Sequence, residues 1–446
     1  MFGITDRRHF MKHAAAGAAV TLPGLNFLNG LAANAAKLKK KNKSLIVLWM
    51  GGGPPTIDLW DQKPDHANGG GSAAPKPLTT AAGSDVKITE SLPLVAKQFK
   101  NLSIIRSLTT KEGDHQRGSY LMGTGRSPSP LVDFPHIGSA LSYQYSLDVE
   151  AMKGMDLPGF ISVGGLPGGA GPGFLGMKYA NFTVQQPGQI PENMEAPKEL
   201  HDQMARRAAL FDTLEGNDAK HKGLGLKTGV QADAVQAHKD IYKKALDLVV
   251  SNRKDVFKFD GAADQKDLKD RYGDNGFGRG CLLARKLVEA GVSAVQVSLG
   301  GWDMHQQVFN ALARPGQLPT LDKGMGSLVE DLAKSGKIKD TVIVWMGEFG
   351  RTPKINQNMG RDHYPRAWSV VVGGGNIKGG IAYGSTEADG GSPKDNPVQI
   401  QDLYATLYSG LGIDPKTQIR DNLGRPTAIA ADDKGKEGTA IKELVG

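Results

Sequence analysis

The chain has 446 residues, 22% of them charged, with a formal net charge of +8 and a single cysteine, Cys281. One cysteine excludes an intramolecular disulfide and a cysteine-built metal site, and a chain of this length can hold a core without either. The basic excess is modest and spread out, and no zinc-finger, RNA-recognition or helix-turn-helix signature accompanies it, so no nucleic-acid partner is expected.

Read from its start, the chain opens with Thr5-Asp6-Arg7-Arg8-His9-Phe10-Met11-Lys12, which resembles the twin-arginine export consensus. An Ala- and Gly-rich stretch follows from Ala14, and Ala33-Asn34-Ala35 supplies the small-x-small pattern that a signal peptidase cuts. Residues 1–35 are therefore expected to be removed and residues 36–446 to be delivered folded to the periplasm or cell surface. Pro23 and neighbouring Gly and Asn interrupt the apolar run short of the roughly 18 residues that a membrane span needs. The lysine-rich run Lys37-Leu38-Lys39-Lys40-Lys41-Asn42-Lys43 reads as a solvated tail.

Ser44 to Met50 is a continuous apolar run ending in three glycines, the pattern of a buried strand. Residues 62–86 read as a surface loop and Leu92–Phe99 as a short helix. Leu102–Ile105 is a second strand, residues 133–145 a helix with Pro135 near its start, and residues 159–163 a third strand. Residues 176–230 read as an insertion covering the sheet. Val235, Ile241, Ala245, Leu248 and Val249 share one helical face. Further helices are predicted over 281–290, 321–334 and 398–411, with strands over 293–298, 341–346 and 369–372. Strands alternating with helices predict an α/β fold with a mainly parallel sheet, whose ligands gather at the carboxyl ends of the strands.

Five motifs concentrate His, Asp and Glu at those ends. They are Gly51-Gly52-Gly53-Pro54-Pro55-Thr56-Ile57-Asp58, Asp114-His115-Gln116-Arg117-Gly118-Ser119, Gly300-Gly301-Trp302-Asp303-Met304-His305, Gly347-Glu348-Phe349-Gly350-Arg351 and Gly360-Arg361-Asp362-His363. Taken alone, each is more often a turn than a site. Together they deliver three His and four acids to one sheet edge, and carboxylate with imidazole is a donor set for a divalent metal. Dinucleotide, Walker and nucleophile-elbow motifs are absent.

These motifs resemble a family of exported bacterial proteins grouped as domain of unknown function 1501, within the alkaline phosphatase and sulfatase superfamily. The resemblance also takes in Ile105-Arg106-Ser107-Leu108-Thr109-Thr110, Gly123-Thr124-Gly125-Arg126 and Gly373-Gly374-Gly375. It implies an alkaline-phosphatase-like three-layer sandwich and a metal-dependent hydrolase of phosphate or sulfate esters. Its substrate would be an anionic ester, carried on a polysaccharide among the options. The resemblance makes Asp58, Asp303, His305, Glu348, Asp362 and His363 ligand candidates for zinc, calcium, magnesium or manganese. It places His115 where the superfamily keeps a nucleophilic Ser, Thr or modified Cys. That imidazole could be phosphorylated, could ligate metal or could position a water. Arg117 or Arg351 would steady the substrate's negative charge. The rival expectation is a non-catalytic exported scaffold that binds a protein partner or polysaccharide.

Overall fold

The computed structural model describes residues 43–148, 156–194, 253–313 and 316–446, with isolated positions between 203 and 251. The signal segment 1–35, the run Lys37–Asn42 and the helical face at Val235, Ile241 and Ala245 lie outside the described residues.

The first strand sets the architecture. All seven residues of β1 (Ser44–Met50) are buried. Ile46, Leu48 and Met50 enter one core, and Leu45, Val47 and Trp49 enter another. Because side chains alternate along a strand, a run that is apolar at every position needs a covering layer on each face. Seven more strands complete the sheet: β2 (Leu102–Leu108), β3 (Phe160–Val163), β4 (Phe182–Val184), β5 (Ala294–Leu299), β6 (Thr341–Met346), β7 (Trp368–Gly374) and β8 (Ala382–Tyr383). Their order is β8-β2-β7-β6-β1-β5-β3-β4. The strand β7 is antiparallel to both β2 and β6, and every other pairing in the sheet is parallel.

Helices α3 (Gly276–Glu289) and α4 (Gln317–Lys334) bury Leu282, Leu283, Leu321, Met325 and Leu328 in the first core. Helices α1 (His115–Thr124), α2 (Ile137–Ser146) and α5 (Ile400–Leu411) bury Leu121, Met122, Ile137, Leu141, Leu403 and Leu407 in the second. The protein is thus a three-layer α/β sandwich with a mainly parallel central sheet. Among the described residues no helix is long and apolar enough to cross a membrane.

Several boundaries differ from the sequence expectation. Within residues 62–86 the chain forms a hairpin, Pro77–Thr80 against Gly83–Thr89, where a loop was expected. Phe182–Val184, expected in an insertion over the sheet, is its edge strand. Helix α2 starts only after Pro135, with His136 as its N-cap. Helix α3 starts five residues before Cys281, because Gly276, Gly278 and Gly280 conceal a helix in sequence. A Cβ at Gly280 would lie 2.6 Å from Val297 of β5, so this glycine lets the helix approach the sheet. Helix α4 begins at Gln317, with Pro319 in its first turn, where a missing N–H is harmless.

Candidate metal centre

The parallel strands β1, β2, β5 and β6 deliver their following turns to one edge of the sheet, and the reversed strand β7 begins there. The turn after β1 braces its neighbours. Gly52 adopts φ +114°, and a Cβ there would stand 2.5 Å from the backbone nitrogen of Asp303, so only glycine permits the approach. The Gly52 N–H donates to Glu348 Oε1 at 2.8 Å, and the Trp302 N–H donates to the Gly51 carbonyl at 3.2 Å.

His115 is the first residue of α1. Asp114 caps that helix, its side chain accepting from the Arg117 N–H at 2.9 Å. Gly118, one turn along, lies against the Glu348 carbonyl, where an added Cβ would stand 3.2 Å away. This contact sets the helix start beside the turn that follows β6.

Three histidines face one carboxylate here, each held from behind at Nδ1. His115 Nδ1 donates to Glu348 Oε1 at 2.7 Å, His305 Nδ1 to Asp362 Oδ1 at 2.9 Å, and His363 Nδ1 to the Gly113 carbonyl at 2.7 Å. An acceptor at Nδ1 fixes the proton there and turns the Nε2 lone pair outward. His305 Nε2 lies 3.0 Å and His363 Nε2 3.2 Å from Asp303 Oδ1, and the two Nε2 atoms are 3.0 Å apart. His115 Nε2 lies 3.4 Å from Asp303 Oδ2. One ligand atom from each of His115, Asp303 and His363 falls within 4.8 Å of the others.

Neutral imidazole lone pairs converging on a carboxylate repel one another unless a cation lies among them. Donors about 2.0–2.1 Å from a tetrahedral ion stand about 3.3 Å apart, which matches the Asp303, His305 and His363 triangle. The carboxylates behind His115 and His305, Glu348 buried and Asp362 exposed, are the supports that metal-ligating histidines ordinarily have. The residues present therefore fit a divalent metal.

Partial burial opposes ionisation of Asp303, but the Arg351 guanidinium hydrogen-bonded to it outweighs that and holds the carboxyl well below the usual carboxylate range. The hydrogen bond from His305 similarly lowers the Asp362 carboxyl. Both are anionic at neutral pH, as a carboxylate that binds a cation must be.

The sequence-derived candidates take different places in this arrangement. Asp303, His305, His363 and His115 come together. Glu348 and Asp362, read as ligands, stand behind His115 and His305 as their hydrogen-bond acceptors. Glu348 is 2% exposed, and its Oε2 is buried without a hydrogen-bond partner. Asp58 is not brought to the cluster. Both its oxygens accept from the Arg361 guanidinium, at 2.7 and 2.8 Å, in a fully buried pair.

Arg351, read as a substrate contact, is buried and spends its guanidinium on the Gly52, Gly53 and Arg361 carbonyls and on Asp303. It therefore fixes the Asp303 carboxylate and the turn after β1. Arg117 lies on the exposed first turn of α1 in a two-bond pair with Glu112.

Sequence reasoning missed Gly113, Asn356 and the role of Arg361. Asn356 donates to Asp362 Oδ1 at 3.1 Å and to the His305 carbonyl at 3.0 Å. Arg361 stood inside a recognised motif, so its position was visible though its partner was not. Asn356 and the Gly113 carbonyl carried no sequence signal. Phe349 packs against the rings of His115 and His363, with centroids 5.1 and 4.4 Å away.

The family described as "Protein of unknown function (DUF1501)" matches residues 42–445. A search of curated proteins finds no significant match. Solved structures with detectable likeness include an alkaline phosphatase superfamily protein from Vibrio parahaemolyticus, at 12% identity and a TM-score of 0.36, over 89% of this chain and 70% of that one. The PsFucS1 sulfatase from Pseudoalteromonas sp. shows 12% identity and a TM-score of 0.33, over 86% and 70%. The lipoteichoic acid synthase LtaP from Listeria monocytogenes shows 10% identity and a TM-score of 0.34, over 88% and 76%.

Proposed function

The chain belongs to the DUF1501 family, and we propose that it is an exported hydrolase of phosphate or sulfate esters working with a divalent metal held by Asp303, His305 and His363, with His115 beside them. One observation carries this reading: three imidazole Nε2 atoms, each with its Nδ1 proton taken by an acceptor, converge on the Asp303 carboxylate. Two nitrogens in the donor set favour zinc over calcium, magnesium or manganese. Bound there, the ion would supply Lewis-acid stabilisation of the negative oxygens of a phosphoryl or sulfuryl group.

The chain's own residues supply the rest. The first turn of α1 presents backbone N–H groups whose partial positive charge favours an anion at the helix start. Glu348 holds the His115 ring and keeps a lone pair on Nε2, where the side chain can take up a proton, attack the ester or complete the ligand set. Arg351 fixes the Asp303 carboxylate from the buried side. The side chain of Asp303 is 47% exposed and that of His115 40%, against 3% for Glu348, so the cluster opens to solvent while its support does not. Export through the twin-arginine route would deliver the chain folded and metal-loaded.

A second reading, a metal-binding scaffold without catalysis, draws on the lack of Ser, Thr or Cys at position 115. Purified protein with its metal measured, assayed on p-nitrophenyl phosphate and p-nitrophenyl sulfate, separates the two. Hydrolysis lost in His115→Ala and Asp303→Asn supports the enzyme. Fully metallated wild type inactive on both esters and on phosphorylated and sulfated glycans establishes the scaffold.

A further inference from the structure

We propose that a groove beside the metal centre binds an uncharged, polyhydroxylated ligand, a short stretch of neutral glycan, and so holds the non-reacting part of the ester. The groove has a volume of about 460 Å³. That falls within the roughly 300–1,000 Å³ of small-ligand sites. Its floor is the carboxyl end of β3 and β5, and its walls are the first turns of α3 and α4.

Its position ties it to the metal centre. Gly300, which follows β5, lies in the groove, and Asp303 follows in the same turn. The strand β5 pairs with β1, and adjacent strands lie about 4.8 Å apart. The groove therefore opens one to two strand spacings from the cluster, on the side away from β7. A short oligosaccharide bridges that distance.

Its lining selects the ligand class. Among the described residues that line it there is no Asp, Glu, Lys, Arg or His. Its polar side chains are Gln185, Asn275, Ser298, Gln317 and Thr320. Amide and hydroxyl groups both donate and accept, as sugar hydroxyls do. A hydrocarbon would leave those groups without partners, and a second anion would find no cationic side chain to pair with. Gln317 is already oriented, its Nε2 donating to the Gly300 carbonyl at 2.6 Å. The first turn of α4 has no side-chain cap, which leaves its backbone N–H groups free of a side-chain acceptor.

This inference rests on the hydrolase reading for its purpose, but binding alone tests it. A Cβ at Gly276 meets nothing within 4 Å, so Gly276→Trp starts its side chain in open space at the groove. Thr320→Trp blocks it independently from the α4 wall. Saturation-transfer NMR on the intact metallated protein, with a panel of neutral oligosaccharides of two to four sugars as probe, should give signals in the wild type. Each tryptophan variant should weaken that binding at least tenfold with the melting temperature retained. No signal in the wild type, or a signal that survives in whichever variant folds, overturns the proposal. Hydrolysis of p-nitrophenyl phosphate and sulfate, which carry no sugar, is measured on the same samples and reads the metal-centre proposal separately.

Discussion

Glu348 holds His115 across 233 residues of sequence, accepting the His115 Nδ1 proton at 2.7 Å from inside the protein. The same Oε1 accepts the Gly52 N–H, so one buried carboxylate fixes both a catalytic candidate and the turn after β1. Removing it frees the imidazole to rotate and exchange tautomers. Glu348→Ala should lower kcat on a generic ester by about 10–100-fold, with metal content per folded chain unchanged. Glu348→Gln, which keeps an acceptor oxygen, should retain more of the rate. An equal loss of metal and activity in both variants would make Glu348 a ligand instead.

Elemental analysis should find a divalent metal in the folded protein, and Asp303→Asn or His363→Ala should abolish it. A ligand at 100 times its dissociation constant stabilises the folded state by about 2.7 kcal/mol. Chelation should therefore lower the melting temperature by several degrees, and zinc should restore it. An unchanged transition in EDTA, together with metal-free wild type, would remove the metal from the mechanism.

Asp58 and Arg361 form a buried pair in which both carboxylate oxygens are used. Deleting one partner leaves the other charge buried, at a cost of about 3–5 kcal/mol. Asp58→Ala should be strongly destabilised in urea melts, yet bind metal normally wherever it is folded. Loss of metal without loss of stability would return Asp58 to the ligand set.

His136, the buried N-cap of α2, accepts the Gly138 N–H through Nδ1 at 3.1 Å and stacks on Phe160. Burial pushes its pKa down to about 4 from the ordinary 6.5. The unfolded chain therefore binds a proton between about pH 6.5 and 4 that the native state refuses. Stability is complete above about 6.5 and falls as pH drops toward 4, by about 3 kcal/mol from this group. His136→Asn keeps a capping acceptor without the titration. Its melting temperature should fall less than that of the wild type between pH 7 and 4.5, and parallel curves would assign the acid sensitivity elsewhere.

Replacing Arg7 and Arg8 with lysine should leave the precursor in the cytoplasm with residues 1–35 attached, as fractionation and immunoblotting would show. An unchanged periplasmic yield would sink the export proposal.

The layered α/β fold and the edge where the site lies were legible in the apolar runs and the turns that follow them. Residues 45–50 are apolar at every position, so they need cover on both faces, and residues 342–346 repeat the pattern. The local sequence also marked His115, Asp303, His305 and His363, because turns after buried strands rarely gather so many donors. Tertiary structure alone decided which donors meet. Ligand and support are the same residue types, and only the partner across the fold separates Asp303, faced by imidazoles, from Asp58, closed by Arg361. The direction of β7 was likewise silent in sequence, since an apolar strand reads the same either way until its neighbours choose its register. That reversal keeps the loop between β6 and β7, with His363 in it, at the sheet edge, where Gly113 and Asp303 fix the ring.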